Sequence, residues 1–322
     1  TEHMAFNGTK HFKKHQIINY LQSTGMKFGP EINAFTSHDV TAYMLQKVPI
    51  DKAENIDTSL LILYDWANEI SFEDVEIDNE RGVIHEEWRT GRSAMERMNK
   101  EANKLLFRNS KYAIHDVIGD INIIDNFKYQ TVKDFYKDWY RPDLQAIICV
   151  GDFDPQVIEK KVKELFGKVP ARKDKKERTV FPVPDHPETL VSINSDKESP
   201  YNMIQVVYKH DPVTPENNIG YVREQMKEEL YNSMMNARFT ELLQSENPPF
   251  IYAVSMYTNL VKSKDAYMGF AVSKNETLMA ALENLLIENQ RVLQHGFTEG
   301  ELQRAKDAMI TKVENQYNER NK

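Results

Sequence analysis

Thr1-Glu2-His3-Met4-Ala5-Phe6-Asn7-Gly8-Thr9 opens the chain. A glutamate followed directly by a histidine, a short apolar run and a glycine reads as the back half of a metal-binding helix running into a loop. A hydrolytic zinc needs ligands on rigid elements, an open coordination position and a base for the proton of water. Two imidazoles four residues apart share one helix face. On that pattern the partner of His3 falls two residues before Thr1, so the chain is expected to start inside its own metal site. Glu2, between the two imidazoles, would point toward the metal.

The complementary signal lies at Glu80-Arg81-Gly82-Val83-Ile84-His85-Glu86-Glu87. Glu80 and Glu87 are seven residues apart, about two helical turns, and so share a face. Val83 and Ile84 between them are expected to pack the helix onto the core. Glu86 lies about 100° around from Glu87 and faces elsewhere. Either segment alone is weak, because terminal Glu-His pairs and Glu-rich helices usually lie on solvated surfaces. Their conjunction points to a zinc-dependent metallopeptidase.

These two segments resemble the motifs of the pitrilysin/insulinase family of zinc peptidases, the H-x-x-E-H inverzincins. Glu2 to Thr9 matches the second half of the first motif, and Glu80 to Glu87 matches the family's E-x-x-V-x-x-x-E. Asn33 to Tyr43 is similar to the strand beside the family's cleft, and Gly151-Asp152-Phe153-Asp154-Pro155 to a turn near the end of its first domain. The resemblance implies that His3 and Glu87 ligate one zinc ion. It implies that Glu2 is the general base and that Glu80 is a carboxylate orienting the site, with Glu86 the runner-up ligand. An extended peptide substrate is implied to add as a strand beside Asn33 and Ala34. The family closes its cleft between two clam-shell halves, so a second half is an implied partner, in the same chain or another. The fragment itself is expected to hold zinc poorly and to show little or no peptidase activity, for want of a third protein ligand.

Composition agrees with a globular protein. The chain has 322 residues, 40% apolar and 28% charged, enough for two domains. Its 41 basic and 49 acidic side chains give a net charge of −8, which argues against a nucleic-acid partner. No apolar run is long enough for a transmembrane helix. The single Cys149, in Ala146-Ile147-Ile148-Cys149-Val150, cannot form an internal disulfide and is expected to pack as a small hydrophobe. The compartment is open, bacterial periplasm or cell envelope included.

The patterning predicts helices over 14–25, 55–70, 75–107, 131–139 and 156–166, a strand over 33–46 and a buried strand over 144–150. The 55–70 helix is read from Ile56, Leu60, Leu63 and Ala67. The Lys- and Pro-rich stretch 171–187 reads as a solvated linker. Beyond it follow a strand at 201–209, a helix at 221–244, a strand pair at 251–260 and 266–273, and helices at 276–295 and 299–315. This mixture predicts an α+β fold: two related domains, each a mostly antiparallel sheet packed with helices. Residues 1–180 would form the zinc-site domain, lacking its first strand and part of the metal helix. Residues 188–322 would form a homologous, incomplete second domain.

His11 and His15, though four apart, are expected to be surface histidines, since Lys13 and Lys14 would repel a cation. His115 and His210 are expected in loops. Arg238 and Tyr252 lie in a stretch similar to the substrate-reaching segment of the family's non-catalytic half. Gln244 stands where that segment carries an arginine, so Arg238 is expected to be a helix-surface charge and Tyr252 a packed aromatic. Two other functions are compatible with the chain: a non-catalytic scaffold subunit of the same fold, and an acidic module docking a basic partner.

Overall fold

A computed structural model describes residues 1–320, which divide into two compact units. The first comprises Thr1–Ser93 and Ile114–Thr179, the second Ala94–Ala113 and the chain from Val180 onward. Each combines helices with antiparallel strands, an α+β architecture.

The first unit is built around a tight 3₁₀ turn, His3–Phe6. Gly8 follows it at φ +128, a conformation that side-chain-bearing residues rarely adopt, and the chain then enters α1 (Gln16–Ser23). A β-hairpin, β1 (Ile32–Thr36) with β2 (Thr41–Leu45), precedes the long α2 (Ala53–Asn68). The turn is pinned to α2 by Trp66. Its indole is fully buried, lies tilted against Phe6 with ring centroids 5.2 Å apart and donates Nε1–H to the Ala5 carbonyl at 2.8 Å. Tyr136 donates to the Trp66 carbonyl at 2.9 Å and closes the core from α6 (Tyr129–Trp139). The neighbouring Asp65 is also fully buried. It accepts from Thr9 Oγ1 at 2.5 Å, the His11 amide at 3.1 Å and His11 Nδ1 at 2.7 Å. A buried carboxylate requires such donors, and these three hold the loop after Gly8 against α2.

Several sequence expectations change here. The single strand over 33–46 is a hairpin, because Ser37-His38-Asp39-Val40 turns the chain and the Ser37 amide bonds the Val40 carbonyl at 2.8 Å. The long helix over 75–107 is two, α3 (Asp74–Thr90) and α4 (Ala94–Leu106), interrupted after Gly91. On α2 the buried face turns toward Ile62 and Trp66 instead of Ile56 and Ala67. Val83 does not pack onto the core: it is 48% exposed. Leu144 ends a 3₁₀ turn (Pro142–Leu144), and residues 145–150 form no strand among the described residues. Ile148 is 83% and Val150 91% exposed, so the segment is not buried. Cys149, on the other face, is partly buried, and burial raises its thiol pKa. The basic stretch expected to be solvated is partly docked: Arg172 and Lys176 each reach the buried Asp138 at 2.5 Å.

The short α5 (Ile121–Asn126) and α7 (Pro155–Phe166) complete the first unit, each capped by an aspartate. The second unit is a three-stranded antiparallel sheet. Its order is β3 (Asn202–His210), β5 (Lys264–Ser273), β4 (Tyr252–Val261). Helices α8 (Ile219–Leu243) and α9 (Leu278–His295) pack on it, and α10 (Glu299–Glu319) packs on α8. Met235, Phe239, Ala271 and Leu285 form its core. Arg238 is not a surface charge: it is buried and bonds Glu301 at 2.6 Å and the Gly296 carbonyl at 3.1 Å. Tyr252 is 49% exposed and packs on one side against the Phe270 ring, centroids 6.4 Å apart. His210 ends β3 instead of lying in a loop.

Because Trp66 fills the centre of the first core and caps the turn, Trp66→Ala should cost about 3–5 kcal/mol of unfolding free energy. Chemical denaturation checks this. Trp66→Phe should cost less, retaining most of the packing while losing the hydrogen bond to Ala5.

Candidate metal centre

The 3₁₀ turn lies against α3, and His3 reaches two turns of that helix at once. Its Nδ1 is 2.8 Å from Glu80 Oε2, and its Nε2 is 3.6 Å from Glu87 Oε2. The seven-residue spacing places the two Cα atoms about 10 Å apart along the axis, and the side chains lean together so that the ring sits between their carboxylates. An ionised carboxylate only accepts, so His3 Nδ1 must carry the hydrogen. In the neutral imidazole the Nε2 lone pair is then free on the side of Glu87.

Glu80 is the more sheltered acid, its side chain 16% exposed against 55% for Glu87. Burial opposes its ionisation. Hydrogen bonds from His3 and from Asn7, whose Nδ2 donates to Oε1 at 2.7 Å, outweigh burial and draw the pKa below the usual carboxylate value. The Glu80 hydrogen bond in turn raises the His3 pKa, against burial, with the charges of Glu80, Glu87 and Glu2 adding to the effect. Glu86 turns away and pairs with Arg89 at 2.7 Å.

Glu2 directs its carboxylate to the β-hairpin, where Oε2 accepts from the Thr36 hydroxyl. Thr36 ends β1, the strand that carries Asn33 and Ala34. The Gln46 amide bonds the Glu31 carbonyl at 2.7 Å. The hydrogen-bonded register therefore turns the main-chain groups of odd-numbered residues toward β2 and those of Ala34 and Thr36 outward. Among the described residues β1 pairs with β2 and, at Ile32 alone, bridges Phe28. The Ala34 amide on that open side is taken by the Asn33 side chain at 2.9 Å. Asn33 thus touches the edge through its side chain, Ala34 through its backbone.

The sequence motifs brought His3, Glu80 and Glu87 to notice, and the fold gathers them. Asn7 and Thr36 were passed over. Asn7 stood within the quoted motif, but nothing in a single sequence shows its amide reaching a helix 73 residues away.

The donor chemistry suits zinc. An imidazole whose distal nitrogen is fixed by a carboxylate is a common zinc ligand. Two donors at ~2.0 Å from one tetrahedral ion lie ~3.3 Å apart, close to the 3.6 Å between His3 Nε2 and Glu87 Oε2. Among the described residues no group of three His, Cys, Asp or Glu side chains is placed to hold a metal.

Comparison with known proteins bears on both units. Residues 1–115 match the insulinase family (peptidase family M16), and residues 126–309 match the peptidase M16 inactive domain. A zinc protease PQQL-like protein of Arabidopsis thaliana is 31% identical over 99% of the chain, and a probable zinc protease PqqL of Escherichia coli 29% over 98%. The chain spans 30% and 34% of those two proteins, about a third of their length. The crystal structure of the periplasmic protease PqqL from Escherichia coli superposes with a TM-score of 0.85 at 28% identity, covering 99% of this chain and 35% of that one. Pitrilysin shares the fold, with a TM-score of 0.65 at 16% identity over 93% of this chain and 32% of that one.

The raised His3 pKa gives a pH signature. A group whose folded-state pKa lies above its unfolded value stabilises the fold fully below the unfolded value, ~6.5 for histidine, and loses that contribution as pH rises through the folded value. Histidine NMR of the metal-free protein should therefore show His3 titrating above ~6.5. Glu80→Gln should lower that midpoint, and should destabilise the protein more at pH 6 than at pH 9.

Proposed function

The chain belongs to peptidase family M16, and on that premise we propose that it carries the metal half of a zinc-dependent endopeptidase acting on peptides or unfolded segments. The observation that supports this most directly is the imidazole of His3 set between Glu80 and Glu87.

In this reading His3 Nε2 and Glu87 hold the zinc, and a third ligand comes from outside the described residues. Zinc, when bound, polarises the scissile carbonyl and makes water acidic enough to be deprotonated near neutral pH. Glu80 fixes the His3 tautomer and ring plane. Glu2 takes the proton from the attacking water and returns it to the leaving amine. The Thr36 hydroxyl holds one Glu2 oxygen and leaves the other for that transfer.

The substrate lies along β1. Its open edge offers the main-chain groups of Ala34 and Thr36, and an extended peptide would displace the Asn33 side chain from the Ala34 amide. Binding of this kind reads backbone more than sequence and fits unfolded or flexible segments. Thr36 belongs to both the edge and the Glu2 contact, so a bound strand would run directly past the base. A second clam-shell half is the expected partner of the cleft. The periplasmic location stated for the Escherichia coli PqqL structure makes that compartment the one proposed here.

Residues 1–322 alone offer two ligands where such sites use three, and should bind zinc weakly and cleave little. In the intact protein, Glu2→Gln should retain zinc while lowering kcat by about 10²–10⁴-fold, measured on an unstructured fluorogenic peptide. Undiminished turnover would remove Glu2 from proton transfer, and an intact protein that binds no zinc would favour a scaffold subunit. Ala34→Pro, at an edge position where proline is tolerated, should raise KM and leave zinc content unchanged.

A further inference from the structure

We propose that Asn7 is a positioning residue of the metal centre, locking Glu80 in the orientation that presents His3 to zinc. The inference rests on the metal reading above and extends it to a residue outside the ligand and base set.

A carboxylate that bonds a histidine through one oxygen alone can still swing about its terminal torsion. At Glu80 that freedom is removed. Oε2 accepts from His3 Nδ1 at 2.8 Å, and Oε1 accepts from Asn7 Nδ2 at 2.7 Å. The same Asn7 nitrogen lies 3.3 Å from the His3 carbonyl. Asn7 is itself held, since it caps the 3₁₀ turn with its backbone N–H on the Met4 carbonyl at 3.1 Å. The contacts close a ring running from the His3 carbonyl through Asn7 and Glu80 back to the His3 imidazole. This ring couples the turn to α3 in a way that His3 and Glu80 cannot do alone. The chemistry demands a neutral double donor. An aspartate at position 7 would set a second negative charge against Glu80. A leucine of the same branched shape would leave Glu80 Oε1 without its donor.

The test is metal titration of the intact protein with Co²⁺ and Zn²⁺, read by Co²⁺ d–d absorption and by competition with a chelator, beside the thermal midpoint of the metal-free form. Asn7→Leu should weaken metal binding by about tenfold or more and shift the Co²⁺ bands while the metal-free midpoint moves little. Asn7→Gln, which keeps an amide donor, should recover part of the affinity. If Asn7→Leu lowers the metal-free midpoint substantially, the near-isosteric Asn7→Asp decides, with weakened binding expected at neutral pH. Wild-type affinity and spectrum in the folded variant would overturn the role of Asn7. His3→Ala separates this failure from that of the metal reading. Loss of binding in His3→Ala with none in the Asn7 variants rejects Asn7 alone. Unchanged binding in His3→Ala rejects the metal assignment and the Asn7 role with it.

Discussion

The bridge from His3 to two turns of α3 is the constraint on which the site depends. One imidazole meets a sheltered carboxylate with Nδ1 and faces a more exposed one with Nε2. The two acids differ in environment for a reason. Glu80 lies nearer the core and collects hydrogen bonds from His3 and Asn7, whereas Glu87 lies a further two turns along α3, where solvent reaches it. The inner acid is suited to orienting, the outer one to binding a cation. This division needs a turn that does not drift. Trp66 gripping the Ala5 carbonyl and Asp65 gripping Thr9 and His11 supply that rigidity from a single stretch of α2. The packing of α2 is therefore linked to the chemistry of a helix it does not carry.

The first unit's hairpin adds the second constraint. Thr36 sits where the open edge of β1 meets the Glu2 carboxylate. A strand added to that edge would be aligned by main-chain hydrogen bonds and brought beside Glu2, the proposed base, by the same residue. Pre-organisation of this sort lowers the entropic cost of bringing a flexible chain to reacting groups. The second unit's buried Arg238 joins α8 to α10 through Glu301, a structural use of charge.

The sequence was legible where the physics was local or the motif specific. The α+β class, the strand pair β4 and β5, the capped α7 and the convergence of His3 with Glu87 could all be anticipated. Seven-residue spacing identifies a shared helix face whatever the tertiary context. What failed depended on neighbours. Residues 146–150 are an apolar run that reads as a buried strand, yet Ile148 and Val150 face solvent. Arg238 looked like a surface charge because a sequence does not reveal that Glu301 will return to it. The hairpin was read as one strand because Ser37 to Val40 continues the alternation across the turn. Asn7 and Thr36 escaped notice for the same cause, their partners being remote in the chain.

The central claim is that zinc sits at His3 Nε2 and Glu87, with Glu80 reserved for Nδ1. Anomalous diffraction at the zinc edge from crystals of the intact, zinc-loaded protein measures this directly. The account predicts one ion at ~2.0–2.2 Å from both His3 Nε2 and a Glu87 oxygen, with Glu80 still bonded to Nδ1. An ion held by Glu80 or Glu86, or bound away from His3, would contradict it.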